Sequence, residues 1–187
     1  MQLDLTARAL ERLQSLVSGS IYEFLGYKLD LKTGFVEDHA KPSAHSESNS
    51  RNLILSILLS HYAKAHPTPP TDKLVTFREI RGGQAYEKAF IARAMLPIAN
   101  CFGDRPGDLL LASKKLNGKP VHFGDVAIQI EALKGIPLTY ILWTADEFPA
   151  SASVLFDASA SDYLPTEDLA VLGELTSARL IEVVSSK

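Results

Sequence analysis

The sequence predicts an α+β fold in a single domain of residues 1–187. An antiparallel sheet in the C-terminal half is packed by several helices and closed by a C-terminal helix. Three observations support this. Helical patterns precede the main run of strands instead of alternating with it, which disfavours a doubly wound parallel sheet. "DVAIQIEAL", "PLTYILWTA" and "ASVLFD" are rich in β-branched and aromatic residues and are separated by short turns, the pattern of a meander. Finally, 187 residues with 46% hydrophobic and 22% charged content suit one packed core, whereas two cores would each be small.

The elements follow in order. "DLTARALERLQSLV" places Leu5, Leu10, Leu13 and Val17 near helical spacing, with Asp4 available as a cap. "YEFLGYKLDLKTGFVE" reads as a β-hairpin around Lys32-Thr33-Gly34, and residues 38–49 read as a polar loop. Ser50 can cap the helix "RNLILSILLSHYAKA", whose apolar character on most sides predicts a central position. The Pro-rich "HPTPPTDK" ends it. "KLVTFREI" alternates as a strand, "RGG" turns the chain, and "QAYEKAFIARAMLPIANCF" is helical again, followed by a short helix at "GDLLLASKKL". After the meander, "PTEDLAVLGELTSARLIEVV" closes the chain as an amphipathic helix.

Composition narrows the partners. The longest apolar runs are far shorter than the roughly 20 residues that cross a bilayer, and the N-terminal stretch has acids where a signal peptide has a basic region, so a cytoplasmic protein is expected. Cys101 is the only cysteine, which excludes an intrachain disulfide and any iron–sulfur cluster held by this chain alone. It follows an apolar helical segment and reads as an inert thiol. Net charge is −3, unevenly spread: residues 1–134 carry 17 basic and 14 acidic side chains, and residues 135–187 carry 2 and 8. Such an acidic C-terminal third disfavours nucleic acid and anionic membranes and favours a cation or a basic partner.

The acids concentrate between Trp143 and Asp168, where six carboxylates occur without a Lys or Arg. Asp146 and Glu147 fall in a turn at a strand end, pinned by Phe148-Pro149; they could ligate a hard cation or work as acid and base, or simply be turn residues. "DASASDYLPTED" has oxygens near calcium-loop spacing, but Asp162 stands where the loop needs Gly and Asp168 where it needs a bidentate Glu. A helix start accounts for most of it: Pro165 suits a first turn, Thr166 a cap, and Glu167 and Asp168 the positive end of the helix dipole, while Asp157 and Asp162 suit Asx turns. Trp143, Phe148 and Tyr163 would wall a ligand site beside Asp146, Glu147 and Asp157. A second candidate, for an anion, is Arg78, Arg81, Gly82 and Gly83 at a strand-to-helix turn, with a plain tight turn as the alternative. The spacing of His39, His45, His61, His66 and His122 gives no zinc motif, and neither G-x-S-x-G nor H-E-x-x-H occurs. No metal is expected, and no cofactor is identified.

Four stretches carry a family resemblance: "FLGYKLDLKTG" (24–34), "FREIRGGQAYEKAF" (77–90), "GDVAIQIEAL" (124–133) and "LWTADEFPASASVLFDASASDYLPTEDLAVLGEL" (142–175). The chain resembles the domain-of-unknown-function family 3786, found largely in anaerobic bacteria and archaea. Some members carry an appended cysteine-rich segment that looks like a four-iron cluster domain of corrinoid iron–sulfur proteins. The resemblance therefore implies a loose association with anaerobic one-carbon, corrinoid or redox metabolism, and an iron–sulfur or corrinoid protein as a possible partner. Taken together, the expectation is an accessory or small-ligand-binding domain whose site forms where the acidic turn meets the 157–168 loop. The alternatives are an enzyme using the carboxylate pair, or a module docking a basic partner on its acidic face.

Overall fold

In the computed structural model, residues 1–40 and 49–185 are described. Helix α1 (Ala7–Val17) is capped by Thr6, whose Oγ1 accepts from the Ala9 N–H at 3.2 Å; the expected cap, Asp4, lies before it. Strands β1 (Ile21–Phe24), β2 (Tyr27–Asp30) and β3 (Val36–Asp38) form an antiparallel three-stranded sheet in that order. Two hairpins thus replace the single one expected. The missed turn is Leu25-Gly26, where both residues have positive φ (46° and 78°) in a two-residue hairpin loop. A leucine gives no sign of that conformation in sequence.

Helix α2 (Asn49–Tyr62) buries Leu55, Leu58, Leu59 and Tyr62. It is less central than expected, since Leu53, Ile54 and Ile57 are exposed among the described residues. Ser50, the expected cap, lies inside its first turn, and most of the predicted polar loop, residues 41–48, falls outside the described residues. Strand β4 (Leu74–Thr76) is shorter than its sequence pattern. The chain leaves the strand because the Glu79 carboxylate accepts from both the N–H and the hydroxyl of Thr76, at 2.7 Å each, and a 3₁₀ turn forms over Phe77–Glu79.

The long predicted helix is present as α3 (Gly83–Phe90) and α4 (Leu96–Phe102), joined by a wide π-helical turn over Ile91–Met95. Pro97 explains the break: it has no N–H to donate, and its ring would collide with a normally spaced carbonyl one turn back. Within this turn the Ala94 carbonyl accepts from the Ser177 hydroxyl at 2.8 Å, which ties the turn to the C-terminal helix. Helix α5 (Pro106–Lys115) leads to β5 (Lys119–Val121), a short strand that the sequence pattern missed.

The meander is formed by β6 (Val126–Leu133), β7 (Ile136–Trp143) and β8 (Ser151–Asp157). With β4 and β5 they make a five-stranded antiparallel sheet, ordered β4-β8-β7-β6-β5. Strand alternation sorts its two faces. Leu138, Tyr140, Leu142, Ala152, Val154 and Phe156 are buried on the helix side, whereas Trp143, Ser151 and Ser153 lie on the more open side. A one-turn helix α6 (Ala160–Tyr163) precedes the closing α7 (Thr166–Glu182). Tyr140 Oη lies 3.2 Å from the Gly173 carbonyl and 3.1 Å from Ser177 Oγ, pinning α7 to the sheet.

A single buried apolar cluster draws on both sheets and the helices between them. Within it α7 carries a charge, Arg179, whose side chain is fully buried. Its guanidinium donates to the Leu25 carbonyl at 3.1 Å, to both Asp38 oxygens at 2.8 and 2.6 Å, and to Glu182 at 2.9 Å, and it lies 4.3 Å from the Tyr27 ring centre. Arg51 of α2 grips Glu182 through both guanidinium nitrogens. This network ties the small sheet to α2 and α7, and it also holds the strained Leu25 turn.

Candidate functional site

Strand register decides which predicted site residues meet. Trp143 pairs with Ser151 at one end of the β7–β8 ladder, and Leu138 with Phe156 at the other. Asp157 is therefore about 20 Å from the acidic turn at roughly 3.3 Å per residue. The single site expected from Trp143, Asp146, Glu147, Phe148, Asp157 and Tyr163 divides into two groups with different physical roles.

Asp157 and Tyr163 serve the fold. Asp157 is 2% exposed, and its Oδ1 accepts from the Thr71 N–H (3.0 Å) and hydroxyl (2.9 Å) and from the Ser159 N–H (2.9 Å) and hydroxyl (2.6 Å). Burial alone would raise its pKa, but the four donors outweigh it and hold the carboxyl at about 2. The Ser159 contact is the predicted Asx turn, and the Thr71 contact fixes the Pro-rich connection. Tyr163 is buried: its hydroxyl donates to the Thr68 carbonyl at 2.8 Å and accepts from the Thr68 N–H at 3.2 Å, and its ring stacks on Tyr62 at 6.2 Å. Neither residue presents a group to a ligand. Pro165 stands at the cap position of α7, one residue earlier than expected, and Thr166 donates to the Arg81 carbonyl at 2.7 Å instead of capping. Asp168 reaches across to His61 Nδ1 at 2.6 Å.

Trp143, Asp146, Glu147 and Phe148 remain together as an exposed corner. The Asp146 N–H donates to the Phe148 carbonyl at 3.1 Å, closing the turn. Phe148 is 78% exposed and Trp143 40%. Asp146 and Glu147 are exposed and form no ion pair among the described residues. The antiparallel β6–β7 pairing adds two residues that the sequence pattern had not singled out, Phe123 and Asp125. Asp125 Oδ2 accepts from the Thr144 N–H at 2.8 Å and hydroxyl at 2.9 Å, which lowers its pKa and locks the end of β7. Gly124 has φ 52°, and a Cβ there would meet Trp143 Cε2 at 3.3 Å, so the loop passes close beneath the indole. Phe123, 47% exposed, follows the same rim. Three exposed aromatic rings and three carboxylates thus share one end of the sheet, a combination that favours recognition of positively charged groups with apolar stems.

The predicted anion site has another balance. Arg78 pairs with Glu87 at 2.9 Å, and Glu79 joins Arg81 and Gln84 in lining the shallow groove beside them. Gly82 takes φ 85°, and a Cβ at Gly83 would lie 1.8 Å from the Phe77 carbonyl oxygen. The glycine pair is thus required by the 3₁₀-to-helix junction itself. His39 pairs with Glu37 at 3.0 Å, and His45 lies outside the described residues. Among the described residues no group of three or more His, Cys, Asp or Glu side chains could hold a metal ion, and no helix is long and apolar enough to cross a membrane. Cys101 is half-buried, and burial pushes its thiol pKa up, away from the reactive thiolate.

A family model described as Domain of unknown function (DUF3786) matches residues 23–179 of the chain. No curated protein and no solved structure matches it.

Proposed function

The chain belongs to the DUF3786 family, and from that premise we propose that it is a cytoplasmic accessory domain whose Trp143–Phe148 corner docks a basic, partly apolar segment of a partner protein. One observation carries the reading: Phe148 and Trp143 are 78% and 40% exposed beside the carboxylates of Asp146 and Glu147, which form no ion pair among the described residues. Large exposed rings are costly in water unless something covers them, and Trp is the aromatic that anchors interfaces and cations best. Charge complementarity selects a Lys- or Arg-bearing occupant, since residues 135–178 contain no basic side chain. A corrinoid or iron–sulfur protein of anaerobic metabolism is the kind of partner that the family resemblance implies.

The corner suits docking better than catalysis. Catalytic groups work best in a concavity that shelters the reacting atoms from water, and Asp146 and Glu147 project into solvent.

Trp143 is the only tryptophan, so its emission reports directly on the corner. Titrating the full chain with an amphipathic peptide of alternating Lys and Leu should shift that emission to the blue and saturate. The change should weaken as salt rises. Asp146→Asn combined with Glu147→Gln should reduce affinity about tenfold, the scale of two exposed ion pairs, with the melting temperature unchanged. Emission indifferent to the basic peptide, or equally responsive to an acidic one, would sink the reading.

A further inference from the structure

We propose that the cleft between α1 and the end of α2 binds a small multivalent oxyanion, a phosphate ester or a polycarboxylate. The cleft holds about 630 Å³, within the range of small-molecule sites, and is lined by Thr6, Arg8, Arg12, Ser60, Lys64 and His66 over a floor of Ala9 and Ala63. It lies outside the docking corner and stands independently of that reading.

Two helical spacings build it. Arg8 and Arg12 are four residues apart on α1, and Ser60 and Lys64 are four apart on α2 and its continuation, so each pair shares one helix face. The faces meet where Arg12 Nε donates to the Ala63 carbonyl at 3.4 Å, a long contact that aims the guanidinium across the cleft and leaves its terminal nitrogens for another acceptor. Arg8, Arg12 and Lys64 form no ion pair, and the Ser60 hydroxyl and the His66 ring form no hydrogen bond among the described residues. The Thr6 oxygen accepts from Ala9, which leaves its hydroxyl hydrogen available. Asp4 and Glu11 are near in sequence, but neither lines the cleft.

Arg8, Arg12 and Lys64 bring three exposed positive charges to one concavity, and among the described residues no carboxylate pairs with them. An oxyanion answers all three, and arginine forks match the paired oxygens of a phosphate or carboxylate. The available Thr6 and Ser60 hydroxyls add neutral donors that favour several oxygens over a single halide ion.

The test uses the full chain and two probes, pyrophosphate and citrate, in calorimetric titrations at low ionic strength. Saturable one-site binding of either supports the proposal, and the stronger probe tells phosphate from carboxylate chemistry. Arg8→Gln, Arg12→Gln and Lys64→Gln should each lower affinity about fivefold, the upper scale of one exposed ion pair. Lys114→Gln, an exposed lysine outside the cleft, should leave it unchanged. Thermal melts identify any variant that has lost its fold, and the remaining two then decide the comparison. The proposal is overturned by absence of saturable binding for both probes, by equal losses in Lys114→Gln, or by a single-stranded oligonucleotide that binds far more tightly than either and loses affinity steeply with salt.

Discussion

Replacing Asp157 by Asn tests whether this acid is a structural clamp. In the folded chain its carboxyl sits at about 2, against 3.8 for the unperturbed group. Each pH unit of difference is worth roughly 1.4 kcal/mol, so the four donors from Thr71 and Ser159, net of the cost of burial, contribute about 2 kcal/mol at neutral pH. Because the folded value is depressed, that stability is fully present above about pH 4 and is lost as pH falls through about 2. Asn keeps one acceptor oxygen but no charge. Asp157→Asn should therefore be less stable than the parent by about 2 kcal/mol at pH 7, which lowers the melting temperature by about 4–8 °C for a chain of this size. Urea unfolding followed by circular dichroism, at neutral pH and at steps down toward pH 2, should show the gap between the two proteins narrowing below about pH 4. A gap under about 0.5 kcal/mol at pH 7, or one that stays constant as pH falls, would refute the clamp. The former result would return Asp157 to the pool of possible ligand residues.

Three further substitutions probe the framework. Gly83→Ala forces a Cβ to within 1.8 Å of a backbone oxygen and should cost at least about 2 kcal/mol by overpacking. Gly107→Ala, where an added Cβ meets nothing within 4 Å, should be neutral or slightly stabilising in α5; paired thermal melts compare them, and equal effects would contradict the packing account. Arg179→Met removes the centre of the buried ion network and should cost about 3–5 kcal/mol in urea unfolding. A loss below about 1 kcal/mol would mean that the network adds little to stability.

The fold was legible where burial imposes a period. The meander β6–β8 and the closing helix α7 appear in the pattern of apolar residues because each buries a continuous face. What escaped has local causes. The Thr76–Glu79 contact ended β4 early, Pro97 opened a π turn in a helix that looked continuous, and the Leu25-Gly26 hairpin relies on a leucine with positive φ. The candidate site was legible in part. Trp143 through Phe148 lie in one turn, so sequence adjacency alone kept them together. Asp157 joins the group by its acidity and Tyr163 as an aromatic wall, but seven residues of strand separate the two ends. Phe123 and Asp125 could have been found from the meander itself, since antiparallel β6 and β7 place the start of one beside the end of the other. The cleft at Arg8, Arg12 and Lys64 depends on two helices packing together, which periodicity within each helix does not reveal.

The shortness of β4 and β5 has a consequence for how this molecule meets others. Each flanking strand is three residues long, and β5 is interrupted by Pro120, which has no N–H to offer a newcomer. The rims of the large sheet therefore present little continuous backbone for a foreign strand to zip onto, and edge-to-edge growth into fibres is disfavoured. Recognition by β-augmentation at the large sheet is disfavoured for the same reason. A partner that meets the large sheet must read it through side chains, so affinity and selectivity there reside in a few replaceable residues and can drift in evolution without disturbing the sheet.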